Sequence, residues 1–123
     1  MIEHIIDIQT RAGAMESFIC HPERHGPFPA VLMLMDAPGI REELYDMARR
    51  LAATGYYVVL PNLYYRAGRD SKFGPGVLTV GDPERDRMRA IRTKMTIPPV
   101  MEDVADMLGF LDQQKQVRPG PVG

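Results

Sequence analysis

The chain has 123 residues, 45% of them hydrophobic, and this length suits one globular domain with a single core. Its 15 basic and 16 acidic residues give a formal net charge of -1, so no field of one sign draws the molecule to nucleic acid or to an anionic membrane. Both kinds of partner are excluded on this ground, and other partners must be inferred from local features.

The start of the chain and its cysteine usage favour a cytoplasmic setting. The opening MIEHIIDIQ lacks a basic region followed by an apolar leader, and no apolar run approaches the roughly 18 residues of a membrane span. The single cysteine, Cys20, cannot form a disulfide within the chain. We therefore expect a reducing, cytoplasmic environment.

The first half of the chain predicts a hairpin and then a parallel strand pair. HIIDIQT at 4–10 and AMESFICH at 14–21 are β-prone runs joined by a short turn, which is typical of an antiparallel hairpin. AVLMLM at 30–35 and YYVVL at 56–60 are apolar at every position, as in strands covered on both faces. Strand, helix and strand in this order predict a right-handed parallel crossover, so the fold class is α/β.

Helices are predicted between these strands and after them. From Ile40 the apolar positions fall at 40, 44, 47 and 51, which indicates a helix that Gly55 ends. Residues 64–81 are rich in glycine and aperiodic, so we expect an excursion over the carboxyl edge of the sheet. A short helix is expected over 82–94. Another opens at Pro98, with an apolar face at 100, 104, 107, 108 and 111 and acidic residues at 102, 103, 106 and 112 off that face.

The sequence DAPGI at 36–40 follows the first parallel strand and is the most informative stretch. Ligands collect at the carboxyl ends of parallel strands, and a Pro-Gly turn exposes peptide N–H groups near a helix start. Such groups can stabilise a developing oxyanion. The alternative is that Asp36 only caps the helix and that Pro-Gly only makes a turn.

The run MDAPGIREELYDMARRLAATGYYVVLPNLYYRAG resembles the dienelactone hydrolase family of the α/β-hydrolase fold. The similarity extends over essentially the whole chain, and DAPGI and LPNLYYR are its most specific parts. The resemblance implies that the acidic residue, here Asp36, interacts with a nucleophilic cysteine, and that the next N–H, that of Ala37, forms part of the oxyanion hole. Members of the family often have glutamate at the first of these positions.

The resemblance also implies an arginine that holds a substrate carboxylate. Within PERDRMRAIRTK the best match is Arg87, with Arg85 second, and an arginine fork suits a carboxylate. The alternative is a solvated helix face, because acidic residues interleave with these arginines. Tyr65 follows a strand end and is a candidate for lining the substrate pocket, with packing behind it as the alternative.

A nucleophile is missing from these residues. The family's Gly-x-Cys-x-Gly turn has no match, and Ser17 and Ser71 lack flanking glycines. Cys20 and His21 are neighbours in a predicted strand, so their side chains point to opposite faces, and we predict that Cys20 is a core residue. The histidines lack partners at metal-ligand spacing, so we propose neither a metal nor a cofactor.

The resembled fold orders its strands 1-2-4-3-5, and the chain ends where its fifth strand would begin. We therefore predict the amino-terminal half of a dienelactone-hydrolase-like domain over 1–123, inactive alone, with an incomplete sheet. The edge of 30–35 is expected to be unpaired, which favours self-association or pairing with a carboxyl-terminal half.

Two functions from different classes remain open. The first is ester or lactone hydrolysis by a Cys or Ser located downstream, on a small-molecule substrate that carries a carboxylate. The second is a non-enzymatic α/β binding or interaction module. A nucleotide-binding fold is disfavoured, because the turn after residue 35 has a single glycine and no G-x-G-x-x-G pattern.

Overall fold

The computed structural model describes residues 1–69 and 71–123 and contains a four-stranded mixed sheet with helices packed on it. Its strands are β1 (Ile2–Thr10), β2 (Gly13–His21), β3 (Ala30–Leu32) and β4 (Tyr57–Pro61), in the order β1-β2-β4-β3. β1 and β2 form an antiparallel hairpin, β2 pairs antiparallel with β4, and β3 runs parallel to β4. The predicted hairpin, the parallel pair and the α/β class are confirmed.

The helices are α1 (Glu42–Ala53), α2 (Arg85–Lys94) and α3 (Ile97–Asp112), with a 3₁₀ turn at Tyr65–Ala67. The irregular excursion predicted for 64–81 contains that turn, and residue 70 within it lies outside the described residues. Across 1–69 and 71–123, none of the helices combines the length and apolar character needed to cross a bilayer. α1 packs against β2 and β4, and α3 packs against β1.

β3 ends three residues earlier than predicted, and a proline on its partner accounts for this. The Met33 N–H still donates to the Val59 carbonyl at 2.8 Å. The next bond of a parallel ladder would come from the N–H of residue 61, which is a proline and has none. The chain after Met33 is therefore released from the ladder just before the DAPGI stretch.

Both faces of the central strands are buried, as their continuous apolar sequences indicate. Along β2, Phe18 faces α1 and packs on Tyr45 with ring centroids 4.7 Å apart, while Met15 and Ile19 on the opposite face are fully buried. Cys20 is also fully buried, which confirms it as a core residue. Burial raises the pKa of the Cys20 thiol to about 11.

The buried face of α1 differs from the predicted one. Leu44 is buried as expected, but the next buried positions are Ala48 and Ala52, whereas Met47 is 53% exposed and Leu51 is only partly buried. Small side chains let the axis of α1 lie close to the sheet. The buried face of α1 is therefore formed by alanines rather than by its largest apolar residues.

The predicted face of α3 is also wrong at two positions. Asp103 was placed off the apolar face, yet its side chain is fully buried, whereas Leu108 is 39% exposed. The reason is a specific set of hydrogen bonds, because the Asp103 carboxylate accepts from Tyr65 and Arg66 of the 3₁₀ turn. A buried carboxylate with matched donors can replace an apolar residue at such a position.

The outer edge of β3 is not unpaired as predicted, because residues 116–123 lie along it. The Phe28 N–H donates to the Gln116 carbonyl at 2.8 Å, and the Arg118 N–H donates to the Phe28 carbonyl at 2.7 Å. Further on, Gly123 exchanges backbone hydrogen bonds with Ala30 and Leu32 at 3.0 and 2.9 Å. Residues 116–123 therefore run parallel to β3 and pair with its edge up to Leu32.

Two substitutions at neighbouring positions of α1 test which face of the helix is buried. One enlarges a buried side chain and the other shortens an exposed one. We expect Ala48→Met to lower the free energy of unfolding by about 1–3 kcal/mol, because Ala48 is fully buried and a larger side chain would overpack its surroundings. The control Met47→Ala should change it by no more than about 0.5 kcal/mol, since that side chain is largely in solvent. Urea denaturation of both variants measures the difference, and a larger loss in Met47→Ala would contradict the observed register.

Candidate functional site

Two loops meet where β3 and β4 end, because the carboxyl ends of parallel strands lie at one edge of a sheet. The loop after β3 carries Asp36, Ala37 and Gly39, and the loop after β4 carries Tyr64. The Tyr64 hydroxyl donates to the Ala37 carbonyl at 2.6 Å, and its ring is only 2% exposed. This hydrogen bond fixes the two loops against each other.

A tight turn follows β3. The Gly39 N–H donates to the Asp36 carbonyl at 2.9 Å, and Gly39 has a φ of 81°, which is strained for any residue with a side chain. A Cβ at this position would lie 3.4 Å from two ring carbons of Tyr64. The backbone conformation therefore requires glycine here, whereas a Cβ would make only an ordinary contact with the Tyr64 ring.

The turn determines where the Ala37 N–H points. This N–H belongs to the same trans peptide as the Asp36 carbonyl, which is held inside the turn by Gly39. The N–H must therefore point away from the turn. In the part of the chain that the structure describes, it donates no hydrogen bond to any residue, and Ala37 is half-buried. A free, oriented donor at this edge is the feature that oxyanion binding needs.

Asp36 is paired with an arginine that the sequence did not single out. Arg41 binds it with two parallel hydrogen bonds, Nη1 to Oδ1 at 2.5 Å and Nη2 to Oδ2 at 3.0 Å. These bonds hold the pKa of the Asp36 carboxyl below its usual value, although the side chain is 56% exposed. The N-cap of α1 is Arg41 and has no side-chain cap bond, so the capping alternative for Asp36 is wrong.

Arg87 lies over the ring of Phe73, which contacts Tyr64 in the same loop. Its guanidinium is 5.1 Å from the centroid of the Phe73 ring, which in turn meets Tyr64 edge-on at 6.4 Å. Arg87 also donates to Glu84 at 3.1 Å. Arg85 lies two residues earlier on α2, about 200° around the helix from Arg87. Arg87 is the candidate that contacts the ring beside Tyr64, and a substrate-binding role for either arginine stays a prediction.

Tyr65 has a different environment from Tyr64. Its hydroxyl donates to Asp103 Oδ1 at 2.7 Å and lies 2.8 Å from the Thr10 Oγ1, so it is engaged on the side of β1 and α3. Burial and the Asp103 carboxylate raise the pKa of Tyr65. The structure therefore does not bring Tyr65 to the DAPGI turn, and its substrate-binding role stays a prediction. The neighbouring Tyr64 reaches the turn instead.

A cavity of about 240 Å³ lies between the Tyr64 loop and α2. Leu63, Ile91 and Met95 form much of its wall, and Lys94 stands on its rim. Tyr64 separates this cavity from the Ala37 turn. An apolar cavity next to a polar turn can accommodate the apolar part of a small molecule.

The hydroxyl and thiol groups within reach of the loops are committed to the fold. Ser71 is fully buried and its hydroxyl donates to the Gly68 carbonyl at 2.7 Å. Ser17 is buried and donates to the Met15 carbonyl at 3.1 Å. Cys20 faces α1 within the core. Among the described residues, nowhere do three His, Cys, Asp or Glu side chains meet in a group that could hold a metal ion.

Comparison with known proteins identifies the family. The model of the dienelactone hydrolase family matches residues 15–123. A Yersinia pestis protein named as a carboxymethylenebutenolidase is 36% identical over 62 residues, which are 50% of this chain and 23% of that protein. A Methylorubrum extorquens protein of the same name is 35% identical over 63 residues, which are 51% of this chain and 22% of that protein.

The fold is shared with a solved structure from Klebsiella pneumoniae that is described as a dienelactone hydrolase. The TM-score is 0.79 at 21% sequence identity, and the similarity covers 98% of this chain and 47% of that one. The chain thus spans about half of the solved structure, and its matches cover less than a quarter of the two curated relatives. The family model matches most of the sequence, and the chain therefore belongs to the dienelactone hydrolase family.

Proposed function

We propose that these residues form the oxyanion-binding and substrate-binding part of an ester or lactone hydrolase. The nucleophile, a Cys or Ser, and its acid and histidine partners would come from sequence beyond Gly123. The observation that carries the proposal is the orientation of the Asp36–Ala37 peptide, which presents at the carboxyl edge of the sheet an N–H that has no partner among residues 1–69 and 71–123. Membership of the dienelactone hydrolase family supports it.

In this proposal the Ala37 N–H acts when the nucleophile attacks the substrate carbonyl. The carbonyl oxygen gains negative charge as the tetrahedral intermediate forms, and a donor that is already oriented stabilises that charge without reorganisation. Collapse of the intermediate expels the alcohol and leaves an acyl-enzyme, which water then hydrolyses. The 123 residues alone would not hydrolyse esters, because Cys20, Ser17 and Ser71 are buried and both serine hydroxyls are hydrogen-bonded within the fold.

Asp36 would contact the nucleophile from the same turn. Its carboxylate is ionised at neutral pH, as an aspartate ordinarily is, and Arg41 lowers its pKa further. The side chain is exposed enough to accept another hydrogen bond. We propose that Arg41 holds this carboxylate in place beside the incoming nucleophile. The bidentate pairing restricts the short aspartate side chain to one orientation.

The proposed substrate carries a carboxylate, which Arg87 would bind. Arg87 lies on the Phe73 ring, and that ring contacts Tyr64 beside the Ala37 turn. The guanidinium fork is planar, and its contact with an aromatic ring restricts its orientation, which suits binding of an anionic partner. The substrate class is therefore a small ester or lactone with an acidic group.

Removing the Ala37 N–H tests the oxyanion role. In a longer protein that joins these residues to the proposed nucleophile-bearing half, Ala37→Pro deletes this donor, and we expect kcat for an aryl ester to fall by about 10²–10³-fold. Ala37→Gly is the control, because it keeps the N–H, and it should retain most of the activity. Circular dichroism checks that both variants are folded. Equal kcat values for the two variants would contradict the proposal.

The two arginine candidates can be compared directly. We expect Arg87→Lys to raise KM for a carboxylate-bearing ester more than for its neutral analogue, because lysine cannot bind with a planar fork. Arg85→Lys, on the other side of α2, should leave both KM values unchanged. Steady-state kinetics of the longer protein with the paired substrates provides the measurement. A selective effect in Arg85→Lys alone would assign the role to Arg85.

We also propose that the surface beyond the covered part of the β3 edge is an association surface. Leu34 is 50% exposed just past the last backbone bond to residues 116–123, and on α3 Ile97 and Met101 are 78% and 56% exposed. In the longer protein further strands and helices would cover these residues. When only the 123 residues are present, a second copy is the available partner.

Sedimentation of the 123-residue chain tests this association. We expect dimers or larger species, and we expect Leu34→Lys to shift the chain towards monomer, because a charge on a strand edge opposes pairing. Met47→Lys introduces the same charge at a residue that is similarly exposed but lies on α1, and it should leave the association unchanged. A chain that stays monomeric over the whole concentration range would contradict the proposal.

A further inference from the structure

We propose that Asp103 of α3 is a positioning residue for the Ala37 N–H, although it does not contact that residue. The inference rests on the proposed role of Ala37 as an oxyanion donor. The connection runs from Asp103 to the 3₁₀ turn at Tyr65–Ala67, from this turn to Tyr64, and from the Tyr64 hydroxyl to the Ala37 carbonyl. Each step is a hydrogen bond or a covalent neighbour.

The first step is the fixing of the 3₁₀ turn by Asp103. Oδ1 accepts from the Tyr65 hydroxyl at 2.7 Å and from Arg66 Nη2 at 3.0 Å, and Oδ2 accepts from Arg66 Nη1 at 2.8 Å. The carboxylate has no exposed surface, so its charge must be balanced by these donors. All three donors come from two consecutive residues of one turn. Asp103 therefore holds the orientation of the whole turn.

The second step couples the turn to Tyr64. The Ala67 N–H closes the turn onto the Tyr64 carbonyl at 2.9 Å, and the Tyr64 N–H donates to Asn62 Oδ1 at 3.1 Å. Tyr64 is thus bonded through its backbone on both sides. A rotation of the 3₁₀ turn would therefore also move the Tyr64 backbone. The direction of the Tyr64 ring would change with it, because only two rotatable bonds lie between the backbone and the ring.

The third step reaches the oxyanion donor. The hydroxyl at the end of the Tyr64 ring is bound to the Ala37 carbonyl at 2.6 Å, and the ring packs beside Gly39. A displacement at the ring therefore moves the turn that orients the Ala37 N–H. Small displacements of a donor can reduce transition-state stabilisation strongly.

A neighbouring aspartate on the same helix provides the control. Asp106 binds Arg11 at the β1–β2 turn through the Arg11 N–H at 3.0 Å and the guanidinium at 3.1 Å. Like Asp103, it anchors α3 to another part of the fold, but its partner lies in the hairpin rather than in the loop after β4. A purely structural role of Asp103 predicts the same distant effects for both aspartates.

The amide resonances of Ala37 and Gly39 in the ¹⁵N-labelled 123-residue chain distinguish a positioning role of Asp103 from a purely structural one. We expect Asp103→Asn to shift both resonances, Tyr64→Phe to shift the same two, and Asp106→Asn to leave them in place. Unchanged resonances in Asp103→Asn would overturn the proposal. Shifts of equal size in Asp103→Asn and Asp106→Asn would overturn it as well, because they would reflect a general loosening of α3.

A second variant keeps the test decisive if Asp103→Asn does not fold. Tyr65→Phe removes one donor from Asp103 and leaves the Arg66 pairing, so we expect a smaller shift of the same Ala37 resonance, and no shift would overturn the proposal. The spectrum does not depend on hydrolysis. If the resonances shift as expected but Ala37→Pro retains the kcat of Ala37→Gly in the longer protein, the positioning is supported and only the hydrolytic role is contradicted.

Discussion

The site depends on the constraint placed on one peptide unit, between Asp36 and Ala37. Its carbonyl is held by the Gly39 N–H, and the following carbonyl, that of Ala37, is held by the Tyr64 hydroxyl. With both carbonyls bound, the N–H between them has one available direction. Because the unit is held by backbone and by a buried ring, its orientation is set by folding and does not require a substrate.

The rest of the molecule supports this arrangement. The parallel pairing of β3 and β4 brings the two loops together, and Pro61 ends the ladder so that the chain after Met33 can turn. Two alanines on α1 allow the helix that follows the turn to lie close to the sheet. The buried Asp103 ties α3 to the loop after β4. Residues that are far apart in the sequence thus support the conformation of one loop.

Much of this could be predicted from the sequence, because strands and helices follow from the period of apolar residues. The buried Asp103, the Asp36–Arg41 pair and the alanine face of α1 could not, since they depend on side chains that meet only after folding. The pairing of 116–123 with the β3 edge was missed because two prolines and two glycines give that segment no strand pattern. The resemblance named Ala37, and the structure explained how its N–H is oriented.

The most direct test is a crystal structure of the longer protein with a phosphonate ester bound covalently to its nucleophile, because the phosphonyl oxygen mimics the oxyanion. The account predicts that this oxygen lies about 2.7–3.1 Å from the Ala37 nitrogen, with the Tyr64 hydroxyl still on the Ala37 carbonyl. A phosphonyl oxygen bound by other donors, with the Ala37 N–H turned away from it, would contradict the account.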